Sequence, residues 1–211
     1  MSLGSIARRA FGPAEPAVAR IYRDVFFDGA SFGRLLRAWI DLPSPETILE
    51  VGCGEGQMME ILAESFPGAR LLGVDIHPAV GRLFRGDRSR VEFRRSRLEG
   101  VEGCFDLVVV CDVIHHVPPL ERAAFMAGVG LRVGRALVVK DWERTRSPVH
   151  LLAWASDRLI TQDRVRYGTH EEIRGHVDQA RVGPILAEAR IGPWRNNLAL
   201  LSLRPGMDPA P

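Results

Sequence analysis

The sequence predicts a doubly wound α/β fold, and three observations predict it. Short β-branched runs at 47–51, 70–75, 91–93, 105–110 and 136–140 alternate with helical stretches at 57–66, 78–84 and 119–131. Continuous apolar runs such as Leu107-Val108-Val109-Val110 suit strands buried on both faces of a parallel sheet. The first run ends in a glycine-rich turn, Gly52-Cys53-Gly54-Glu55-Gly56, that opens a helix. Strand and helix alternating in this way give a parallel sheet with helices on both sides.

Before this core, residues 1–45 read as an N-terminal helical cap. Ile21, Tyr22, Val25 and Phe26 recur at helical spacing, as do Phe32, Leu35, Leu36 and Trp39. Gly29 separates the two helices, and Leu42-Pro43-Ser44-Pro45 stops the second. The cofactor-type core spans 46–141, and an insert over 142–180 follows. Its helix at 147–160 is apolar nearly all round (Leu151, Leu152, Trp154, Leu159, Ile160) and is expected to be buried. A lid, a homodimer contact and a seat for a greasy ligand all fit such a helix. Thr169 with Glu171-Glu172 starts a further helix, acids in its first turn. Residues 181–204 read as a hairpin, with strands near 182–189 and 198–203 around Gly192-Pro193-Trp194-Arg195-Asn196-Asn197. The tail at 205–211 is expected to fray. All of it reads as a single domain.

Composition narrows the function. The 211 residues are 46% apolar and 26% charged, with a net charge of +2 and no long block of one sign. A nucleic-acid partner is therefore not expected. Nor is stable membrane insertion, because no run approaches the roughly 18 apolar residues a span requires. The three cysteines, Cys53, Cys104 and Cys111, form no Cys-x-x-Cys pair, which suits a reducing cytoplasm. Ala7-Arg8-Arg9-Ala10-Phe11 has the look of an export signal, but no apolar stretch follows it. Lys140 is the sole lysine among many arginines.

The strongest signal is Ile48-Leu49-Glu50-Val51-Gly52-Cys53-Gly54-Glu55-Gly56. Glycines serve where a turn is tight or where backbone must approach a ligand, and the next helix aims free N–H groups at the same place. A nicotinamide fingerprint would place its third glycine where Gln57 stands. Asp75 ends the second strand, where a carboxylate can accept both hydroxyls of a ribose.

These residues resemble the class I S-adenosylmethionine-dependent methyltransferases of the small-molecule type, through residues 46–141 and more loosely to the final hairpin. The resemblance implies a Rossmann-like seven-stranded sheet whose last strand runs antiparallel. It implies that Glu50, Gly52, Cys53, Gly54 and Gly56 wrap the methionine end of S-adenosylmethionine and that Asp75 holds the ribose. Ile76 would pack on adenine, and Cys111 would face the methionine portion. After the third strand the family often carries Gly-Asp, whereas this chain has Ser96-Arg97. Ser96 can still accept from an adenine amine, more weakly than a carboxylate.

Methyl transfer from a sulfonium asks mainly for alignment of donor and acceptor, plus a base when the acceptor is protonated. His116, and next to it His115, leave the fourth strand at the carboxyl edge, where such sheets bind ligands. His116 is the expected base. Lys140 and Asp141 end the fifth strand, either as a capping ion pair or as a hold on an acceptor oxygen. Asp112 with Asp141 resembles part of a catechol-type magnesium site, but Trp142 stands where an Asp-Asn pair would continue it, so no metal is expected. Tyr22, Phe26, Trp142, His150, Trp154 and residues 164–167 are candidates for the acceptor pocket. The base-amine and protein-arginine methylase motifs are missing. The reading is methyl transfer to a small-molecule hydroxyl, in bacterial secondary or glycolipid-type metabolism. The alternatives are a non-catalytic cofactor-binding module and a nicotinamide-binding oxidoreductase.

Overall fold

The computed structural model describes residues 21, 24–40, 43–156 and 165–206. Its elements, in chain order, are α1 (Gly29–Trp39), β1 (Thr47–Val51), α2 (Gln57–Ser65), β2 (Arg70–Asp75), β3 (Val91–Arg95), β4 (Phe105–Cys111), α3 (Arg122–Gly130), β5 (Val133–Trp142), α4 (Pro148–Ser156), α5 (His170–Gln179), β6 (Ile185–Ile191) and β7 (Asn197–Leu203). The sheet has seven strands in the order β3-β2-β1-β4-β5-β7-β6. β1 to β5 pair in parallel, and β7 runs antiparallel to both β5 and β6. This is the Rossmann-like architecture expected, with its terminal hairpin.

Alternation along the central strands builds two apolar layers. Ile48, Leu107, Val109, Ala136 and Val138 face the side covered by α1 and α2, packing with Phe32, Leu36, Met59 and Leu62. Leu49, Val108, Val110, Leu137 and Val139 face the other side with Met126, Val129, Ile173 and Val177 from α3 and α5. The central strands β1, β4 and β5 are buried on both faces, which is why they read as largely apolar runs. The reversal of strand order between β1 and β4 opens the carboxyl-edge crevice at the switch point, where the site lies.

Three expectations need correction. Residues 78–84 form turns rather than a helix. Their backbone is claimed by the glycine loop: Gly81 N–H donates to Gly54 O at 3.0 Å and Leu83 N–H to Glu55 O at 2.8 Å. α4 is not buried all round; Leu151, Leu152 and Trp154 are exposed, while Ala153 packs on Trp142 and Tyr167. One small face is all the neighbouring cluster can cover. The break before α1 falls at Phe27-Asp28 rather than at Gly29, because the Asp28 carboxylate caps α1 by accepting from Ser31 N–H at 2.9 Å. α5 starts as expected, with a full capping box between Thr169 and Glu172. Tyr22, Leu159, Ile160 and Arg164, and the tail beyond 206, lie outside the described residues. Among the described residues no helix is long and apolar enough to cross a membrane.

Candidate functional site

The glycine loop is held from below by β2. Gly52 and Cys53 N–H both donate to Val74 O, at 2.8 and 3.1 Å. Two glycines there have different reasons to be glycine. Gly52 has φ +77°, and a Cβ on it would meet Val113 Cγ2 at 2.3 Å. Gly54 has φ +50°, and a Cβ on it would meet nothing within 4 Å. Gly52 is required by packing; Gly54 borders open space at the crevice.

Asp75 ties this loop to its own turn. One carboxylate oxygen accepts from Gly54 N–H and the other from His77 N–H, both at 2.7 Å. Each oxygen keeps a further lone pair for a ligand hydroxyl. Ile76 is exposed beside it. Ser96 donates its hydroxyl to Arg97 O at 2.8 Å, which leaves the oxygen's acceptor capacity for an amine. These four residues flank the crevice on the β2–β3 side and do not line its deeper cavity.

That cavity measures about 380 Å³ and runs from the glycine loop to the ends of β4 and β5. Glu50, Gly52, Cys53, Gly54, Cys111, His115, His116 and Lys140 all line it. Glu50 is fully buried, and its Oε2 has no partner among the described residues. Burial, reinforced by the charge of Asp75, pushes its carboxyl up to about 8. Burial likewise raises the thiols of Cys53 and Cys111, so neither is a thiolate at neutral pH.

Glu50 therefore has a stability signature. Its folded pKa of about 8 exceeds the ordinary 4.5, so between those values the folded chain holds a proton that the unfolded chain releases. Stability should fall as pH rises through this window, by at most about 1.4 kcal/mol per pH unit. Glu50→Gln is expected to flatten that fall in thermal unfolding scans. A wild-type melting temperature that climbs from mildly acid to mildly alkaline pH, or a variant with an unchanged profile, would overturn the assignment.

Lys140 is buried, its Nζ 2.6 Å from Asp112 Oδ2 and 4.5 Å from the centre of the Phe27 ring. A buried ammonium needs such a partner. Asp112 reaches it from a left-handed backbone at φ +54°, unusual outside glycine. Beside this pair, His115 Nδ1 lies in a very short contact with Asp141 Oδ1, both residues buried. A carboxylate only accepts, so Nδ1 carries the proton. Burial would raise the Asp141 carboxyl, but His115, the Trp142 N–H and Lys140 outweigh it and hold it below the ordinary value. Asp141 is thus ionised and fixes the tautomer and tilt of His115. His116, the expected base, lines the cavity from an exposed position 4.3 Å from the His115 ring. The anchored imidazole is the neighbour.

Asp112, His115 and Asp141 bring possible metal-ligand atoms within 4.8 Å of one another. Two of them already face each other, and the third faces Lys140, so a cation there would have to displace both pairings. Sequence reasoning missed Arg122. Buried at the start of α3, it donates to Val117 O at 2.9 Å, His115 O at 3.4 Å and Arg166 O at 2.7 Å. It staples the His115 loop to the segment that carries Tyr167, whose ring lies 4.8 Å from His115. Nothing local marks Arg122 as different from the other arginines. Of the candidate pocket aromatics, Phe26, Trp142 and Tyr167 line the cavity; His150 supports Trp142 from behind, accepting its indole N–H at 3.2 Å, and Trp154 faces outward.

The chain matches a family model described as a methyltransferase domain over residues 49–130. It is 26% identical over 143 residues to the trans-aconitate 2-methyltransferase of Variovorax paradoxus, covering 65% of this chain and 53% of that one. The chain thus spans about half the length of this curated relative. Among solved structures it resembles the magnesium protoporphyrin IX methyltransferase of Synechocystis, determined with S-adenosylmethionine bound, with a TM-score of 0.60 at 18% identity over 97% of this chain and 98% of that one. A putative O-methyltransferase from Nostoc punctiforme superposes with a TM-score of 0.67 at 16% identity, over 83% of this chain and 56% of that one. At these identities the structural likeness speaks for the fold.

Proposed function

We propose that this chain, which matches a methyltransferase domain over residues 49–130, is a class I S-adenosylmethionine-dependent methyltransferase that transfers the cofactor's methyl group to a small-molecule hydroxyl with His115 as base. The observation that carries this reading is His115, paired with buried Asp141, on the wall of a cavity that the glycine loop also lines.

The residues of the cavity fit this cofactor. Gly54 leaves open space where a side chain would stand, and Glu50 offers a buried carboxyl oxygen with no hydrogen-bond partner among the described residues. An ammonium group, as on a methionine moiety, meets that need and would favour the ionised form of Glu50. Asp75 keeps lone pairs for ribose hydroxyls, with Ile76 and Ser96 toward an adenine. When bound, S-adenosylmethionine supplies a methyl group made electrophilic by a sulfonium.

The protein's part is alignment and one proton. Nδ1 of His115 is committed to Asp141, which leaves Nε2 as the atom able to take the hydroxyl proton. Ionised Asp141 stabilises the imidazolium that results, as in other carboxylate-backed histidines. The proton then passes to water after product leaves. Lys140 and Asp112 neutralise each other and shape the floor.

Calorimetric titration of S-adenosylhomocysteine tests the cofactor assignment against a nicotinamide reading. Asp75→Ala is expected to weaken binding at least tenfold, since hydrogen bonds to a charged group contribute about 1.5 to 3 kcal/mol each. The loss of its bonds to Gly54 and His77 N–H should also lower the melting temperature modestly. An unaltered dissociation constant would remove Asp75 from the site, and preferential binding of a nicotinamide dinucleotide would overturn the family's chemistry here.

A further inference from the structure

One buried group on the cavity wall is still unaccounted for. Asn197 opens β7, is fully buried and lines the cavity next to Phe26, Trp142 and Tyr167. Its Nδ2 donates to the carbonyl of Phe26 at 2.7 Å and lies 3.5 Å from that of Trp194. Two carbonyls on one side settle the orientation of the amide, because the flipped form would set oxygen against oxygen. The other atom, Oδ1, has no hydrogen-bond partner among the described residues. A buried acceptor left unmet is costly, and native structures rarely tolerate one without a reason.

The surroundings say what kind of partner would meet it. Trp142 meets Phe26 edge-on, centroids 6.1 Å apart, and Tyr167 continues the wall to His115. Rings of this kind present large apolar faces to a flat ligand. Among the described residues the wall carries no arginine, and the ammonium of Lys140 is taken up by Asp112. Among the described residues, nothing on this side of the cavity is arranged for an anion. What it lacks is a donor.

Resting on the methyl-transfer reading above, we propose that Asn197 determines acceptor specificity: its Oδ1 receives an N–H or O–H of a flat, ring-bearing acceptor, from a group other than the one that is methylated. The acceptor therefore carries two polar groups, one presented to His115 and one to Asn197. A carboxylate in the second position is disfavoured, because it would set two acceptors face to face.

Resorcinol and catechol, each beside its monomethyl ether, probe this directly. Capping one hydroxyl leaves the other for His115 and takes the donor from Asn197. With S-adenosylhomocysteine saturating, ligand-observed NMR titration of the wild-type protein is expected to show at least one diol binding about tenfold tighter than its ether. In Asn197→Leu that ratio should fall to about one, with cofactor-product affinity within threefold. A purely structural role for Asn197, latching Phe26, would lower the melting temperature without changing the ratio. Equal binding of diols and ethers by the wild type overturns the proposal even if the variant fails to fold. So does a ratio preserved in the variant, or tighter binding of trans-aconitate than of either diol. Failure to bind S-adenosylhomocysteine would instead bring down the methyl-transfer reading, and this inference with it.

Discussion

Turnover of His115→Ala is expected to fall about 10²- to 10⁴-fold, the usual cost of removing a general base, while S-adenosylhomocysteine affinity stays within about threefold. Alanine alone is an imperfect probe here. It strips Asp141, a buried carboxylate whose Oδ2 has no hydrogen-bond partner among the described residues, of its main counterpart. An unpaired buried charge destabilises the fold, so part of any loss would be structural. His115→Asn supplies an N–H to Asp141 but no base, and it should show the same kinetic defect with a smaller drop in melting temperature. His116→Ala is the control, expected to be mild because its ring sits at the exposed rim. If His116→Ala is the crippling change and His115→Asn is not, the base is His116 and the Asp141 pair is a structural strut.

That the structure anchors His115 on Asp141 and leaves His116 at the rim shows where sequence reading ends. Pattern placed both at the carboxyl edge of β4, because an apolar run followed by polar residues marks a strand's exit at the crevice. Which of the two turns inward depends on the short helical turn at Ile114–His116 and on a carboxylate 26 positions away on β5. No local periodicity encodes that. The strands were legible for the opposite reason: burial on both faces leaves a largely apolar signature, and β1 and β2 match it to the residue. Residues 78–84 carry the composition of a short helix, yet their N–H groups pair with the glycine loop, a tertiary competition that a local window cannot see. α4 misled in another way. Its apolar circumference implied burial, but nothing described is large enough to cover Leu151, Leu152 and Trp154. Asn197 read as a turn residue because asparagine suits turns; its place on the cavity wall follows from pairing with Trp142 across β5 and β7.

Gly54→Val should abolish measurable cofactor binding and leave the sheet folded. Two effects have to be separated. The first is backbone: at φ +50° a side chain costs roughly 1 to 2 kcal/mol, more when β-branched, which should show as a lower melting temperature. The second is space: the new side chain has no protein atom within 4 Å of its Cβ and extends into the volume assigned to the methionine portion. Gly103 isolates the first effect. It has φ +79° and the same open surroundings but does not line the cavity, so Gly103→Ala should lower stability and leave affinity unchanged. Gly54→Ala against Gly103→Ala then compares one methyl group in two similar backbones, and only the former should weaken S-adenosylhomocysteine binding, by tenfold or more. Gly52→Ala is a different case, because its Cβ would strike Val113 and distort the loop before any ligand arrives. If Gly54→Ala and Gly54→Val both bind normally, the open space beside Gly54 is not where the cofactor lies, and the loop's glycines serve the turn alone.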